Sequence, residues 1–429
     1  MPVINPFPTQ RVQIGGVSVI EIARQFGTPA YIYDAAKIVE RINDLQAFDD
    51  IRFAQKACSN LAILNLARQN GVLVDAVSAG EIRRALAAGY APHGDPPPIV
   101  YTADVFDHEA LDLVTLHHLH VNCGSPDMID QLGKRLVGGL KSDITLRLNP
   151  GFGHGHSRKT NTGGEQSKHG IWHEQLEDCQ KRAKRWDLSV TGLHMHIGSG
   201  TDLEHLQQVC GAMQQAALQV GGSIKTISAG GGLPVPYREG ESYVDLSAYY
   251  SLWDTVRQKL VEAFGHAVRL EIEPGRYLVA ESGFLVAEIR SVKQSGTNTF
   301  YLVDAGFNNL IRPSMYGSYH PISIVPASGR LETRLEQDVV VGGPLCESGD
   351  IFTQQEGGVV CTRKLPVASV GDFLVLEVAG AYGFAMGSNY NSKPLAAEIL
   401  ISSGRTHLIR ARQTFEDLIR GESIPPSYA

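Results

Sequence analysis

This 429-residue sequence predicts an α/β protein: a (β/α)8 TIM-type barrel followed by a mostly antiparallel β domain. Three observations carry the expectation. Between residues 51 and 275, short β-branched runs alternate with longer amphipathic ones eight times. Such alternation calls for right-handed βαβ crossovers and a parallel sheet, and eight units in about 225 residues suit a closed barrel better than an open doubly wound sheet. After residue 283 the texture changes to strand-like runs separated by turn signals, with few long helices.

In chain order the barrel strands are read at Ile51–Lys56, Val72–Ser78, Pro98–Asp104, His120–Cys123, Thr145–Asn149, Ser189–Gly198, Ile224–Gly231 and Val268–Gly275. Helical patterns lie between them, among them Asn60–Gln69, Gly80–Ala88, Pro126–Leu136 and Glu204–Val220. Ser78 and Glu81 have the spacing of a capping box, with Gly89 as the stop. Ser125 before Pro126 gives a helix start with proline at its first position. No helical pattern directly follows the eighth strand. Further strands are read at Phe284–Val292, Thr299–Val303, Asp338–Val341, Asp372–Val378 and Thr406–Arg410. The domain expectation is therefore a barrel over 31–283, a β domain over 284–429, and an N-terminal segment, 1–30, that joins the β domain.

Bulk composition excludes several classes. A formal net charge of −7 with no dense Lys/Arg cluster speaks against a nucleic-acid groove. The six cysteines are scattered without a C-x-x-C pair, which argues against a disulfide framework and a structural zinc site. The opening MPVINPFPTQ lacks a basic segment followed by an apolar run, and no stretch is long and apolar enough to span a bilayer. A cytoplasmic enzyme without nucleic-acid or membrane partners is expected.

The unusual polar residues fall at the C-terminal ends of the proposed strands, the face on which barrel enzymes build their sites. Lys56 ends the first, Asp75 and Ser78 the second, Arg147 and Asn149 the fifth, His194 and His196 the sixth. A lysine in a partly dry barrel mouth is pushed toward the neutral amine that forms Schiff bases, although a solvated strand-end lysine is the plain alternative. Gly230-Gly231-Gly232 and Gly275-Arg276 offer close backbone N–H groups and a charge to a phosphate, and Ser199 adds a hydroxyl; a glycine triplet also serves as an ordinary tight turn. Glu273 lies in the apolar run LEIEPGR, where a carboxylate needs a partner: a protonated pyridine nitrogen, or a local Arg or Lys. His196 has an aromatic face for stacking on such a ring. His194 and His196 share a strand face, but no carboxylate or third ligand follows at useful spacing, so no metal is expected. Past the barrel, GGPLCESGD at 342–350, GAYGFAMGSNYN at 380–391 and NNLIRPSMYGSYH around Arg312 and Tyr316 are poor in strand pattern and rich in reactive groups, as functional loops are.

FAQKACSN at 53–60, HMHIGSG at 194–200, AGGGLPVPY at 229–237, EPGR at 273–276, GPLCESGD at 343–350 and GAYG at 380–383 resemble, in order and over nearly the whole chain, the fold-type III pyridoxal-phosphate decarboxylases. The resemblance implies an alanine-racemase-like barrel carrying pyridoxal 5'-phosphate. Lys56 would hold the cofactor covalently, His196 would stack on its ring and Glu273 would pair with its nitrogen. Ser199, Gly232, Gly275 and Arg276 would surround the phosphate, with Asp75, Gly231, Pro274 and Tyr382 also at the cofactor. Arg276, Arg312, Tyr316, Glu347 and Tyr382 would bind substrate, and Cys346 would be the proton donor. In this family the GPLCESGD loop comes from the neighbouring subunit, which implies a homodimer. The branch most like this chain decarboxylates meso-2,6-diaminopimelate to L-lysine and carbon dioxide, the last step of bacterial lysine biosynthesis. Arg312 offers a fork for the distal carboxylate of that substrate and repels the ammonium of ornithine or lysine. Glu347 stands where ornithine decarboxylases carry Asp. FGHGHSRKTNTGGEQSKHG at 152–170 is similar to one bacterial branch and departs from the loop of many other members. The alternatives are a decarboxylase of ornithine or arginine on the same scaffold and a non-catalytic cofactor-binding protein.

Overall fold

The computed structural model describes residues 7–137, 142–153, 163–196 and 202–428. Two compact units divide the chain: Ile38–Val235 with Ser242–Leu278, and Ile4–Lys37 with Pro236–Glu241 and Val279–Ala429.

The first unit is a closed parallel barrel. Its strands are β1 (Asp50–Ala54), β2 (Leu73–Ala76), β3 (Ile99–Ala103), β4 (His120–Cys123), β5 (Ser142–Asn149), β6 (Leu188–His194), β7 (Thr226–Ser228) and β8 (Arg269–Ile272). Each pairs in parallel with the next, and β8 pairs with β1 through Glu271–Asp50 and Ile272–Ile51, which closes the ring. Among the described residues, seven helices alternate with the strands: α1 (Leu61–Gln69), α2 (Ala79–Ala87), α3 (His108–Leu116), α4 (Pro126–Leu136), α5 (Leu176–Arg185), α6 (Leu203–Val220) and α7 (Leu246–Phe264). Only the four-residue turn Arg276–Val279 follows β8. The helix starts have identifiable causes. Ser78 Oγ accepts from Glu81 N at 3.2 Å, while the Glu81 carboxylate reaches past the cap to Val77 N at 2.8 Å, so the capping box is displaced by one residue. Pro126 opens α4 as its spacing predicts, but Ser125 makes no side-chain cap.

The strands stop earlier than the sequence reading placed them. Lys56 lies in the 3-10 turn Gln55–Ala57 beyond β1, His196 two residues beyond β6, and Glu273 just beyond β8. Turns and glycines take over there, which frees side chains at the C-terminal rim from the inward–outward alternation of a ladder.

The second unit is a mixed, mostly antiparallel sheet. It contains β9 (Gly283–Ser295), β10 (Asn298–Val303), β11 (Ile322–Val325), β12 (Glu336–Gly342), β13 (Arg363–Pro366), β14 (Phe373–Leu376), β15 (Ala397–Ser402) and β16 (Arg405–Arg410). The N-terminal strand Ala30–Asp34 sits between β9, antiparallel, and β15, parallel. Ile14, Val19, Ile22 and Ile32 pack with Phe284, Val286, Val325, Val375 and Ile401 in its core. Burial of such side chains stabilises the fold by about 1.5–3 kcal/mol each. Among the described residues, no helix is long and apolar enough to cross a membrane.

Candidate active site

In the first unit, the structure brings the barrel-rim residues to the C-terminal ends of the strands. Glu273 is 7% exposed. Its Oε2 lies 2.7 Å from His194 Nε2, and Ser228 Oγ donates to Oε1 at 3.4 Å. Burial alone would raise this carboxyl, but the charge and hydrogen bond of His194, with the charge of Arg52, bring it down to about 2. A buried carboxylate is thus held ionised. Asp75, 3% exposed, goes the other way: burial first, then the charge of Glu273, push it up to about 8, against a hydrogen bond from Thr102 and the charge of Lys56. Two neighbouring carboxyls with opposite protonation at neutral pH are the pattern of a functional site.

Lys56 is exposed rather than enclosed in a dry mouth. Its charge is felt by Asp75, Glu81 and His196. His196 is half-buried, and its Nδ1 accepts from Gly231 N at 3.1 Å, so Nε2 carries the ring proton. Burial, then the positive Arg147 and Lys56, hold it well below its ordinary value and therefore neutral. Gly231 is needed for close approach: a Cβ there would meet the Glu273 carbonyl oxygen at 2.4 Å. Gly232 lies beside it, and Pro274 O accepts from Ala54 N at 3.1 Å, tying the EPGR segment to β1. Gly275 packs against Ala54, and Arg276 is half-buried at the start of its turn. Ser199 lies outside the described residues. Asn149 does not serve the rim; its amide organises the following loop through Gly151, Gly164 and His169.

The barrel interior adds residues that the sequence reading missed. Arg52 is 1% exposed, with Nε and Nη2 at 3.0 and 2.7 Å from Glu271 Oε2. Its Nη1 donates to Pro97 O at 2.9 Å. A cavity of about 50 Å³ is lined by Arg52, Asn122, Thr145, His194, Glu271 and Glu273, among others. The signal was present in the alternation, since Arg52 and Glu271 interrupt apolar strands. His194, seen in the sequence without a neighbouring carboxylate, has one in space: Glu273, 79 residues away.

In the second unit, Arg312 is 5% exposed. Its Nη1 donates to His320 Nε2 at 2.9 Å and to Tyr237 Oη at 3.1 Å, and its guanidinium lies 5.0 Å over the Tyr237 ring. His320 accepts at Nε2, so Nδ1 carries the proton and donates to Glu377 O at 2.9 Å. Arg312 Nε and Nη2 make no hydrogen bond among the described residues. Tyr316, half-buried, ends the same short helix. Cys346 and Glu347 are exposed on a loop stiffened by Asp350, which accepts from Leu345 N and Phe307 N at 2.8 and 2.7 Å. Cys346 N donates to Asn391 Oδ1 at 2.8 Å. Tyr382 has φ 57°, a strained backbone, in a segment where a Cβ on Gly380 would meet Val279 O at 1.9 Å.

The donor set of the barrel fits pyridoxal phosphate: an exposed amine, a buried ionised carboxylate, a neutral imidazole and a glycine loop. A barrel of this kind with these groups defines a pyridoxal-dependent decarboxylase, and the chain belongs to that family, whose pyridoxal binding domain matches residues 35–280. Within it, the chain is 55% identical to the diaminopimelate decarboxylase of Escherichia coli K12 over 408 residues, 95% of this chain and 96% of that enzyme. The diaminopimelate decarboxylase of Streptomyces coelicolor A3(2) is 53% identical over 412 residues, 96% of this chain and 93% of that one. A crystal structure of a diaminopimelate decarboxylase superposes with TM-score 0.92 at 53% identity, covering 96% of this chain and 98% of that one. The Helicobacter pylori enzyme complexed with L-lysine does so at 0.80 and 30% identity, covering 93% and 98%.

Proposed function

We propose that this chain decarboxylates meso-2,6-diaminopimelate to L-lysine and carbon dioxide with pyridoxal phosphate. The observation that carries the reading is Glu273, a buried carboxyl held ionised at about 2, facing the rim where Lys56 presents its amine. Near-full-length similarity to diaminopimelate decarboxylases, and a relative that binds L-lysine, support the substrate.

Bound pyridoxal phosphate supplies an electron sink for the pair released as carbon dioxide leaves. Lys56 is the covalent attachment point. Glu273, as an anion, keeps a proton on the ring nitrogen by its charge. Neutral His196, its Nδ1 fixed by Gly231, offers a flat face for stacking without a competing positive charge. The glycine loop after β7, with Gly275, Arg276 and Ser199, takes the phosphate, and Asp75, Pro274 and Tyr382 complete the surround. Arg312 holds the distal carboxylate through the two nitrogens its own protein partners leave available. Arg276, Tyr316, Tyr382 and Glu347 contact the remaining polar groups of the substrate. Cys346 delivers a proton to the carbon that has lost its carboxylate. The exposed thiol on a stiff loop suits action in the site of a second copy, so the active unit is a homodimer. The division proposed from the sequence, a barrel over 31–283 and a β domain over 284–429 that 1–30 joins, shifts at its first boundary, because the strand Ala30–Asp34 pairs with β9 and β15 of the β domain. A cytoplasmic location suits an enzyme whose substrate and cofactor are small soluble metabolites.

Carbon dioxide release from meso-diaminopimelate tests this, beside L,L-diaminopimelate, ornithine, arginine and lysine, with Lys56→Ala as control. Turnover of the meso compound alone, lost in the variant, is expected. Turnover of ornithine or arginine instead refutes the substrate, and none with any of them refutes the activity.

A further inference from the structure

His194 Nε2 bonds Glu273 Oε2 at 2.7 Å, so that nitrogen carries the proton and donates to the carboxylate. The other ring nitrogen, Nδ1, has no hydrogen-bond partner among the described residues, although His194 is 1% exposed. Asn122 on β4 repeats the pattern. It is 1% exposed; its amide nitrogen donates to Thr102 Oγ1 at 3.4 Å, and its Oδ1 has no partner among the described residues. Both side chains line the same cavity of about 50 Å³, together with Thr145, Thr191 and Ser228. Native interiors do not leave two such polar atoms unpaired, and a polar cavity of this size has room for at least one water. One water molecule can bond both, donating to Asn122 Oδ1 and pairing with Nδ1, while the hydroxyls can donate to its oxygen.

We propose that the barrel interior holds a built water site between His194 Nδ1 and Asn122 Oδ1, and that this water makes His194 a positioning residue that aims and keeps charged the Glu273 carboxylate. A water bonded to Nδ1 fixes the ring from its far side and keeps the Nε2 proton on Glu273. A flip of the ring would turn Cε1 toward the carboxylate and Cδ2 toward the water, losing both bonds. Thr145 supports the geometry from β5, where it also bonds His120 Nε2 at 2.8 Å. The proposal deepens the cofactor reading and rests on it, since Glu273 acts through the cofactor's ring nitrogen.

Two measurements on the holoenzyme test it. A crystal structure at about 1.2 Å should show a water peak within about 3.2 Å of both His194 Nδ1 and Asn122 Oδ1. A dry cavity, or a peak bonded to neither atom, overturns the water site. The second measurement loads wild type, His194→Phe and His194→Gln with ring-15N pyridoxal phosphate and reads the nitrogen resonance, the cofactor dissociation constant, kcat and KM. His194→Phe should move the resonance toward that of an unprotonated ring, with kcat lowered about tenfold to a hundredfold at a KM changed far less. His194→Gln keeps an N–H donor and should recover most of the loss, which a merely structural defect would not allow. A protonated ring in correctly folded His194→Phe, or failure of His194→Gln to recover either readout, overturns the positioning role. Absence of turnover in the wild type instead refutes the decarboxylase reading, so the two failures are distinct.

Discussion

Arg312→Met probes substrate recognition most directly. In the folded chain one nitrogen, Nη1, serves both His320 and Tyr237, and stacking on Tyr237 fixes the plane of the guanidinium. Nε and Nη2 then form a preset fork for a carboxylate. Hydrogen bonds to charged groups contribute about 1.5–3 kcal/mol each, so the loss of a bidentate pair should cost about 3–5 kcal/mol of transition-state binding. At about 1.4 kcal/mol per decade, this is roughly a 10²- to 10⁴-fold fall in kcat/KM. Because the contact is remote from the breaking bond and is made equally in ground and transition states, KM should carry most of the change. Arg312→Lys should restore little, since an ammonium has no planar fork and does not stack as a guanidinium does. The assay is initial-rate carbon dioxide release over a range of meso-diaminopimelate, with far-ultraviolet circular dichroism to confirm the fold. A folded Arg312→Met enzyme whose kcat/KM stays within about threefold of wild type would refute the assignment.

Other consequences can be measured as readily. Cys346→Ala removes an exposed thiol whose backbone stays anchored by Asn391, so kcat should fall about 10²- to 10⁴-fold while KM changes little; an equal loss in substrate affinity at unchanged kcat counts against a proton donor. Arg52→Met strands the buried Glu271 and should destabilise the barrel by about 3–5 kcal/mol in urea unfolding, whereas Arg52→Met with Glu271→Leu should regain much of the loss. Asp75 is raised from 3.8 to about 8 when folded, so between those values the unfolded state binds fewer protons than the folded one. Its contribution to the stability of the cofactor-free chain therefore falls as pH rises, by about 1.4 kcal/mol per pH unit. The stability difference between wild type and Asp75→Asn, followed by unfolding across that window, should show this slope; a flat difference would mean that Asp75 is ionised. Glu273 has the opposite sign: its stabilisation is present above 4.5 and is lost only as pH falls toward about 2.

Much of the architecture was legible because barrel βα units are local. Each strand and its helix are contiguous, and their periods of two and 3.6 are written in consecutive residues. His120–Cys123 was placed to the residue, and Ser78 and Pro126 marked helix starts where the structure has them. The rim residues were legible for a similar reason: a lysine, a histidine pair and EPGR at strand ends are out of place in apolar runs. The strand ends were less legible, because pairing stops where a neighbouring strand turns away, and that depends on residues far off in sequence. Lys56 shows the result, read as the end of a strand and found in a 3-10 turn.

The sequence by itself determined the barrel, the β domain after it, the cofactor class and most of the residues at the rim, since each is encoded in short contiguous patterns. Only the tertiary structure decided how those residues are charged. Glu273 is an anion because His194 and Arg52 reach it from other strands, and Asp75 holds its proton because the same fold buries it beside Glu273. The parallel pairing of Ala30–Asp34 with β15 likewise joins segments more than 360 residues apart. Electrostatic interactions in a buried site depend on distance and on exclusion of water, and neither is fixed until the chain has closed around it.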